Sequence, residues 1–248
     1  MKYLKKFQNH TAYEEARQNL ILPNVSLCVQ ENEVHYNPYV DPCQQHDYVE
    51  IGGIKWATKN VGACDVTDTG LYFQWGDTQG YTAEQCGSGS EQKYFDWGDY
   101  KYSNNGGSTA ADMTKYNSTD GKTVLEPSDD AVTAAWGGNW RMPTTAEFKA
   151  LRSATTTAWT ADYQGSGVSG LVLTDKTDES KTLFLPACGR CDSGYVINVN
   201  FNGYYWSSSL HDTNFRFAYQ FDFTDYTSTD YYQGYRDYGY PVRGVLDE

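Results

Sequence analysis

The alternation of hydrophobic and polar residues predicts β-strands over most of the chain after residue 47. Two alternating runs, YVEI and IKWA, flank Gly52-Gly53 and predict a hairpin, because a Gly pair favours a tight turn. After residue 155 only strand patterns follow, namely GLVLTD, TLFLPA, YYWSSS, RFAYQFDF and PVRGVL. Alternation in RFAYQFDF assigns Tyr219 to the face of Phe217, Phe221 and Phe223.

Two helices are predicted in the middle of the chain. The first follows the polar run that ends at Asp130, continues through AVTAAW and stops at Gly137. Thr144 and Glu147 form a capping box at the start of the second, AEFKALRSA. Helices set between antiparallel strand patterns predict an α+β domain.

Residues 1–46 are predicted to form a small N-terminal module, and residues 47–248 the main domain. The module shows two strand patterns, KYLKKF and LILPNVSLCV, around a short helix, AYEEARQN, and ends in a Pro-broken linker, NPYVDPCQQH. A segment this small holds too little core alone, so it is expected to pack on something. Docking to a partner assembly and edge packing on the main domain both fit this pattern.

Two related hexapeptides, Tyr72–Asp77 and Tyr94–Asp99, share the pattern YFxWGD. Carboxylates of Asp77, Asp96 and Asp99 are the type of ligand that Ca²⁺ prefers. The alternative is that they accept hydrogen bonds from their own turns. The region 103–122, rich in Gly, Asn and Thr, is predicted to be a long surface loop.

The charge of the chain excludes some partner classes. A net charge of −13 and a pI near 4.6 argue against a nucleic-acid partner, which needs clustered Lys and Arg, and against an anionic membrane surface. No apolar run of about 18 residues predicts a membrane span. The N-terminus lacks an apolar signal region, so we expect synthesis in the cytoplasm without a signal peptide. Release would then use another route, such as lysis within an assembled particle.

Six cysteines have irregular spacing, and only Cys188 and Cys191 form a CxxC pair. No second pair completes a zinc site, and the context lacks the helix that follows a redox CxxC. Free thiols are therefore the expectation, with a metal or redox role as the alternative.

The segment 192–240 has an unusual composition. It contains ten Tyr and six Asp, with no Lys and no Glu. Tyr supplies rigid amphipathic contact area, and small polar residues supply adaptable hydrogen bonds, as in antibody loops. Randomising the adenines of an Asn codon yields Tyr, Asp, Ser, Thr, Gly and His but never Lys, Glu, Gln or Trp. The segment therefore has the composition of a repertoire made by adenine mutagenesis; the alternative is a Tyr-rich edge of a β protein.

We divide this region into scaffold and contact residues. Trp206, Ser207 to Ser209, Phe221, Phe223 and the VRGV strand are predicted scaffold. The candidate ligand contacts are Asn198, Asn200, Asn202, His211, Asp212, Thr213, Asn214, Tyr219, Asp222, Thr224, Asp225, Tyr226, Tyr231, Tyr232, Tyr235, Arg236, Asp237, Tyr238 and Tyr240. About half of the tyrosines in the segment are expected to face a ligand, since a fully exposed set would aggregate. An acid/base role of Asp222, Asp225 and Asp230 in sugar hydrolysis is an alternative.

The motif running from Asp129 to Glu147, DDAVTAAWGGNWRMPTTAE, resembles the C-type lectin-like fold in its formylglycine-generating-enzyme-like branch. WATKNVGA, YFQWGD, FLPA, YYWSSS and VRGV extend the likeness over about 56–246. Together these motifs are similar to variable proteins of diversity-generating retroelements from gut Bacteroidetes and their phages. The resemblance implies a C-terminal ligand-binding face rewritten by an adenine-specific reverse transcriptase. FQNHTAYEE and VHYNP also look like a segment of phage structural proteins of these bacteria.

Two departures limit what the resemblance implies. The Glu-Pro-Asn, Gln-Pro-Asp and Trp-Asn-Asp motifs of calcium-dependent sugar-binding lectins are absent, so calcium-mediated sugar binding is not implied. The context of Cys188 and Cys191 does not match the reactive cysteine pair of the oxidases. We therefore expect no metal, although Ca²⁺ remains the alternative.

These observations favour a non-enzymatic, hypervariable ligand-binding protein. Its expected partner is a protein or glycan on a bacterial cell surface, and its expected location is a virion or another extracellular-facing assembly joined through the N-terminal module. An oxidase of the formylglycine-generating type and an adhesin-like module with a fixed partner are the alternatives.

Overall fold

The computed structural model describes residues 6–7, 25–30, 33–38, 43, 45–107, 109–226 and 228–248. The chain divides into two compact units, Met1–Gln45 and His46–Glu248. The first unit has one antiparallel sheet, and the second has several.

The N-terminal unit contains a three-stranded antiparallel sheet in the order β1-β3-β2. Its strands are β1 (Lys6–Phe7), β2 (Val25–Gln30) and β3 (Glu33–Pro38). The strand β3 includes Pro38, which sequence analysis placed in a linker, and its register pairs Pro38 with Val25. A proline is tolerated there because it lies at the end of the ladder. The predicted helix AYEEARQN lies outside the described residues.

The larger unit contains four antiparallel sheets. A four-stranded sheet has the order β4-β5-β15-β6, from β4 (Tyr48–Ile51), β5 (Ile54–Asn60), β6 (Trp140–Arg141) and β15 (Arg243–Leu246). Two three-stranded meanders follow, the first with β7 (Thr155–Thr160), β8 (Gly170–Asp175) and β9 (Thr182–Pro186). The second has β12 (Gly203–Leu210), β13 (Phe217–Phe223) and β14 (Ser228–Tyr235). A hairpin joins β10 (Arg190–Asp192) to β11 (Tyr195–Ile197).

Two α-helices lie between β5 and β7, as predicted, at α1 (Ala131–Trp136) and α2 (Thr145–Ala154). The Asp130 carboxylate caps α1 by accepting the N–H groups of Val132 and Thr133, each at 2.9 Å. Thr144 and Glu147 form the predicted capping box of α2. The described chain is therefore α+β, with mostly antiparallel strands.

Both faces of β13 are covered by hydrophobic packing. Phe221 and Phe223 lie in a core with Phe148 of α2, whose ring stacks on Phe221 at 5.2 Å. Ala218 lies in a second core with Trp206, which is fully buried as predicted. The central meander is thus held from both sides, and ligand contacts are left to its ends and to the segments beside it.

The predicted surface loop at 103–122 is only partly a loop. It includes the short 3-10 turns Asn105–Gly107 and Ala110–Asp112, and it buries Met113 and Tyr116. Tyr116 packs edge-on against Trp75 at 5.1 Å between ring centroids. Because the region is mostly polar, its sequence did not predict that Tyr116 belongs to the core.

Candidate functional site

The segment after β14 is fixed by backbone pairing on both sides. Tyr240 exchanges hydrogen bonds with Phe73, with N–O distances of 2.9 and 3.0 Å. Gly239 exchanges hydrogen bonds with Cys191 of β10 in the same way, at 2.8 and 2.9 Å. Residues 235–240 therefore run between the first YFxWGD motif and β10 and have little freedom to move.

The guanidinium of Arg236, a predicted ligand contact, is fully buried. Its Nε donates to the Tyr100 hydroxyl at 2.7 Å. Its two terminal nitrogens donate to the carbonyls of Phe215 at 2.7 Å, Lys115 at 3.0 Å and Tyr116 at 3.2 Å. The side chain is saturated by the interior, so the prediction that it contacts a ligand is corrected to a structural role.

Tyr240, a second predicted contact, is also an interior residue. It is 1% exposed, and its ring stacks on Trp206 at 4.1 Å and on Tyr204 at 5.3 Å. The ring is held there because the chain on both sides is paired, so Tyr240 supports the surface instead of forming it.

Asp237, a third predicted contact, is only 4% exposed. Its Oδ1 is buried without a hydrogen-bond partner in the described part of the chain, as is Oε1 of the neighbouring Gln74. The Gln74 amide donates to the Asp237 carbonyl at 3.0 Å. Burial raises the pKa of Asp237 to about 8, with smaller contributions from the Asp192 and Asp96 carboxylates. The side chain is therefore largely protonated at neutral pH.

Five aromatic side chains, four of them half-buried, lie beside this segment. We call Trp97, Tyr204, Phe217, Tyr235 and Tyr238 the aromatic band. Tyr235 stacks on Phe217 with 4.3 Å between ring centroids, and meets Trp97 and Tyr238 edge-on at 6.1 and 5.5 Å. Tyr204 is the most buried member, at 8% exposure.

Two arginines lie among these rings. The Arg216 guanidinium carbon lies 4.9 Å from the Trp97 centroid and 5.1 Å from that of Tyr235. The Arg190 guanidinium carbon lies 4.6 Å from Tyr238 and 5.5 Å from Tyr204. Ring faces attract cations, and stacking limits side-chain freedom, so both arginines are held in place before any ligand binds.

The two arginines differ in their ionic partners. Arg190 pairs with Asp192, with 3.0 Å between Nη2 and Oδ2. The buried Nε atoms of both arginines have no hydrogen-bond partner among the described residues. Buried polar atoms are normally paired, and Arg190 already bonds a carboxylate, so Arg216 is the stronger candidate of the two for a polar ligand contact.

The loop from β12 to β13 contributes a second group of predicted contacts. His211 Nδ1 accepts the N–H groups of Thr213 at 3.3 Å and Asn214 at 3.2 Å, so the imidazole fixes its own loop. The Tyr219 hydroxyl donates to Asp212 Oδ2 at 3.0 Å. The His211 ring lies 5.0 Å from Tyr219 and 6.0 Å from Phe217, which places this loop next to the aromatic band.

The loop from β11 to β12 uses its predicted contacts for support. Asn198 and Asn200 have φ angles of 63° and 64°, a conformation that asparagine tolerates better than most residues. The Asn198 carbonyl accepts the N–H groups of Phe201 at 3.1 Å and Asn202 at 3.0 Å. The Asn200 N–H donates to the Ala187 carbonyl at 2.8 Å. These bonds hold the loop in one shape.

The sequence patterns did not indicate the apolar residues that this loop exposes. Phe201 is 72% exposed and Val199 is 42% exposed, whereas the Asn198 amide turns back to the Tyr204 hydroxyl at 3.3 Å. A rigid loop that carries an exposed aromatic side chain resembles a binding anchor, because little entropy is lost when it docks.

The remaining predicted contacts are distributed more widely. Asp225 and Tyr226 lie exposed in the turn from β13 to β14, and Tyr232 is exposed on β14 opposite Gln220. Asp222 pairs in register with Tyr204, and Thr224 is half-buried. The side chain of Tyr231 lies outside the described residues. No described contact joins the 225–226 turn or Tyr232 to the aromatic band.

Trp97 of the band and the two arginines beside it, Arg190 and Arg216, were also absent from the predicted set. Trp97 and Arg190 lie outside the segment of biased composition. The sequence around Arg216 does not distinguish it from an ordinary surface arginine. The repeated YFxWGD motif was the available signal for Trp97, because it places an aromatic side chain at a tight turn.

The carboxylates of the second YFxWGD motif are used by their own turn. Asp99 accepts the N–H groups of Tyr94 and Phe95, each at 3.0 Å, and Asp96 accepts that of Gly98 at 2.8 Å. No cluster of three or more His, Cys, Asp or Glu side chains suited to a metal occurs in the described part of the chain.

The expectation of free thiols is confirmed for Cys86, Cys188 and Cys191. It is wrong for Cys43 and Cys64, which are disulfide-bonded. Cys188 lies beside the Tyr205 hydroxyl, with 3.7 Å from sulfur to oxygen, and burial raises its pKa to about 11. Cys191 instead packs with Tyr72 and Phe95. The two CxxC thiols therefore have separate surroundings.

In the described ranges, no helix combines the length and hydropathy needed to span a bilayer. Comparison of the chain with protein-family models, with curated proteins and with solved structures finds no match.

Proposed function

We propose that the chain is a non-enzymatic ligand-binding protein whose binding surface is the aromatic band with its two flanking loops. The observation that carries this proposal is the position of Arg216, held between Trp97 and Tyr235 with a buried, unpartnered Nε. Aromatic residues and arginine dominate binding hot spots in protein interfaces. The scaffold beneath them is paired and packed on both faces, which favours a preorganised surface.

We further propose a fold family and an origin for the chain. The helix pair, the WGGNWRMP connection and the pairing of β15 with β5 and β6 fit a C-type lectin-like domain of the formylglycine-generating-enzyme-like branch. On this proposal the surface is a variable region of a diversity-generating retroelement protein. The N-terminal unit attaches it to a phage particle or another assembly, and the ligand is a molecule on a bacterial cell surface.

A cell-binding experiment tests this function. The fluorescently labelled full chain is incubated with a panel of gut Bacteroidetes isolates, and bound protein is measured by flow cytometry. We expect binding to a subset of strains, and a loss of at least about tenfold for the double variant Tyr235→Ala/Tyr238→Ala, since hot-spot aromatics contribute about 1.4 kcal/mol or more.

Tyr195→Ala is the matched control. Tyr195 is 70% exposed on β11 and is not part of the aromatic band. Its replacement should leave binding unchanged. Equal loss in the control and the double variant, or binding to no strain, contradicts the proposal.

A further inference from the structure

Two free cysteines that are distant in sequence belong to the same small core. Cys86 and Cys191 are both unbonded. Cys191 is fully buried in a small core with Tyr72 and Phe95, and the half-buried Cys86 packs against that core. Each thiol contributes to the pKa shift of the other.

Backbone contacts hold the two segments in register. The loop that carries Cys86 is closed by hydrogen bonds from Gly87 to Lys93, at 3.0 Å, and from Lys93 to Gln85, at 2.8 Å. A Cβ added to Gly194 would lie 3.6 Å from the Gly87 Cα. The two segments of the chain therefore approach closely next to the cysteines.

The strand that carries Cys191 is fixed from its other side. Gly194 donates to the Tyr94 carbonyl at 2.6 Å, and Ser193 donates to that of Phe95 at 3.2 Å. Cys191 itself is paired with Gly239, one residue beyond Tyr238 of the band. These bonds limit how far the strand that carries Cys191 can move from residues 94–95.

We propose that Cys86 and Cys191 form an oxidative modification site, at which a disulfide cross-links the 83–93 loop to β10. Disulfide formation needs two sulfurs on backbone segments that are already close, and chain connectivity alone does not supply this. Cys43 and Cys64 are already disulfide-bonded, so the same oxidising surroundings would act on this pair.

The reaction with oxidised glutathione as oxidant is balanced. The half-buried Cys86 thiolate attacks one glutathione sulfur, and the first glutathione leaves as a thiolate. The Cys191 thiolate then attacks the Cys86 sulfur and releases the second glutathione. Two protein thiols become one disulfide, and their protons pass to the two glutathione thiolates. Burial raises the pKa of both thiols, so the reaction is slow at neutral pH and faster near pH 9.

The cross-link would close a loop of more than a hundred residues of the folded domain and anchor the strand beside Tyr238. Cross-linking such a loop restricts the unfolded chain strongly. We expect the oxidised protein to melt about 5–10 °C higher than the protein with these two thiols reduced.

The test uses the full chain, reduced and then incubated with oxidised glutathione at pH 8.5. Remaining thiols are alkylated, and the digest is mapped by mass spectrometry. We expect a linked peptide that contains Cys86 and Cys191, together with the rise in melting temperature. In Cys86→Ser both should be lost, whereas Cys188→Ser should retain both because Cys188 lies elsewhere.

Three outcomes overturn the inference. In the first, Cys86 and Cys191 are both found alkylated under conditions that re-form the disulfides of Cys43 and Cys64. In the second, Cys86 carries a stable glutathione adduct and no cross-link forms. In the third, Cys191 is linked to Cys188. Because Cys86 is half-buried in a loop, its serine variant should fold, and Cys191→Ala provides a second variant that lacks the pair.

Discussion

At the scale of single residues, two arginines separated by 20 positions have opposite roles. Arg236 is saturated by three carbonyls and one hydroxyl inside the domain, whereas Arg216 is stacked between two rings with an unpartnered Nε. The first holds the structure together, and the second is the proposed ligand contact.

Replacement of these arginines by methionine should separate stability from binding. Arg236→Met leaves three buried carbonyls unpaired and should lower the free energy of unfolding by about 3–5 kcal/mol. Arg216→Met loses only stacking, about 1–2 kcal/mol, but should abolish binding to responsive cells. Urea unfolding and flow cytometry measure the two effects. A stable Arg236→Met protein or a fully binding Arg216→Met protein would contradict these roles.

Asp237 should make stability depend on pH. Its pKa is raised by burial to about 8 in the folded chain, above the value of about 4 expected when unfolded. The unfolded state therefore releases a proton that the folded state keeps, and stability falls as pH rises from about 4 to 8.

Asp237→Asn removes this dependence. Relative to wild type, the variant should gain roughly 1 kcal/mol or more between pH 6 and pH 7.5, measured by urea unfolding at each pH. Asp225→Asn, at an exposed position in a turn, is the control and should follow the wild-type profile. A constant difference between Asp237→Asn and wild type would rule out a buried, protonated carboxyl group.

At the scale of secondary structure, local signals predicted much of the fold. Both helices begin and end where their caps indicated, because a cap is a contact between neighbours in sequence. The YYWSSS and VRGV patterns became β12 and β15. Burial of particular tyrosines was not predictable, because Tyr116 and Tyr240 are covered by segments distant in sequence.

The candidate site was predicted only in part, for the same reason. The biased composition pointed to the loops at 198–202 and 211–214, but it could not separate Asn198, which holds its loop, from Phe201, which is exposed. Composition reports which residue types are present, whereas the direction of each side chain depends on hydrogen bonds made to other elements.

The 198–202 loop is expected to contribute to binding without contributing to stability. Phe201→Ala removes an exposed side chain from a loop held by backbone hydrogen bonds, so the free energy of unfolding should change by less than about 0.5 kcal/mol. Binding to responsive cells should fall by about tenfold if Phe201 is an anchor. Thermal melting and cell binding are measured on the same preparation, with Tyr195→Ala as control; unchanged binding would remove this loop from the surface.

At the scale of the whole molecule, the domain combines a fixed interior with a mixed polar and aromatic surface. The central meander contributes to two hydrophobic cores, and buried arginines bond to carbonyls of distant segments. The exposed side chains of the flanking loops can change without disturbing these contacts, whereas Tyr204 of the band belongs to the first core. This arrangement suits a protein that changes its ligand by changing side chains alone.

Sequencing the DNA around the gene, in many cells of one population, tests this account most directly. We predict a nearby near-copy of the 3′ end, a reverse-transcriptase gene, and variation confined to codons where the near-copy has adenine. Variable codons should include those of Asp212, Tyr219, Tyr235 and Tyr238, and should spare Trp206, Arg236 and Arg243. An invariant gene without a near-copy, or substitutions spread evenly over interior and surface positions, would contradict the account.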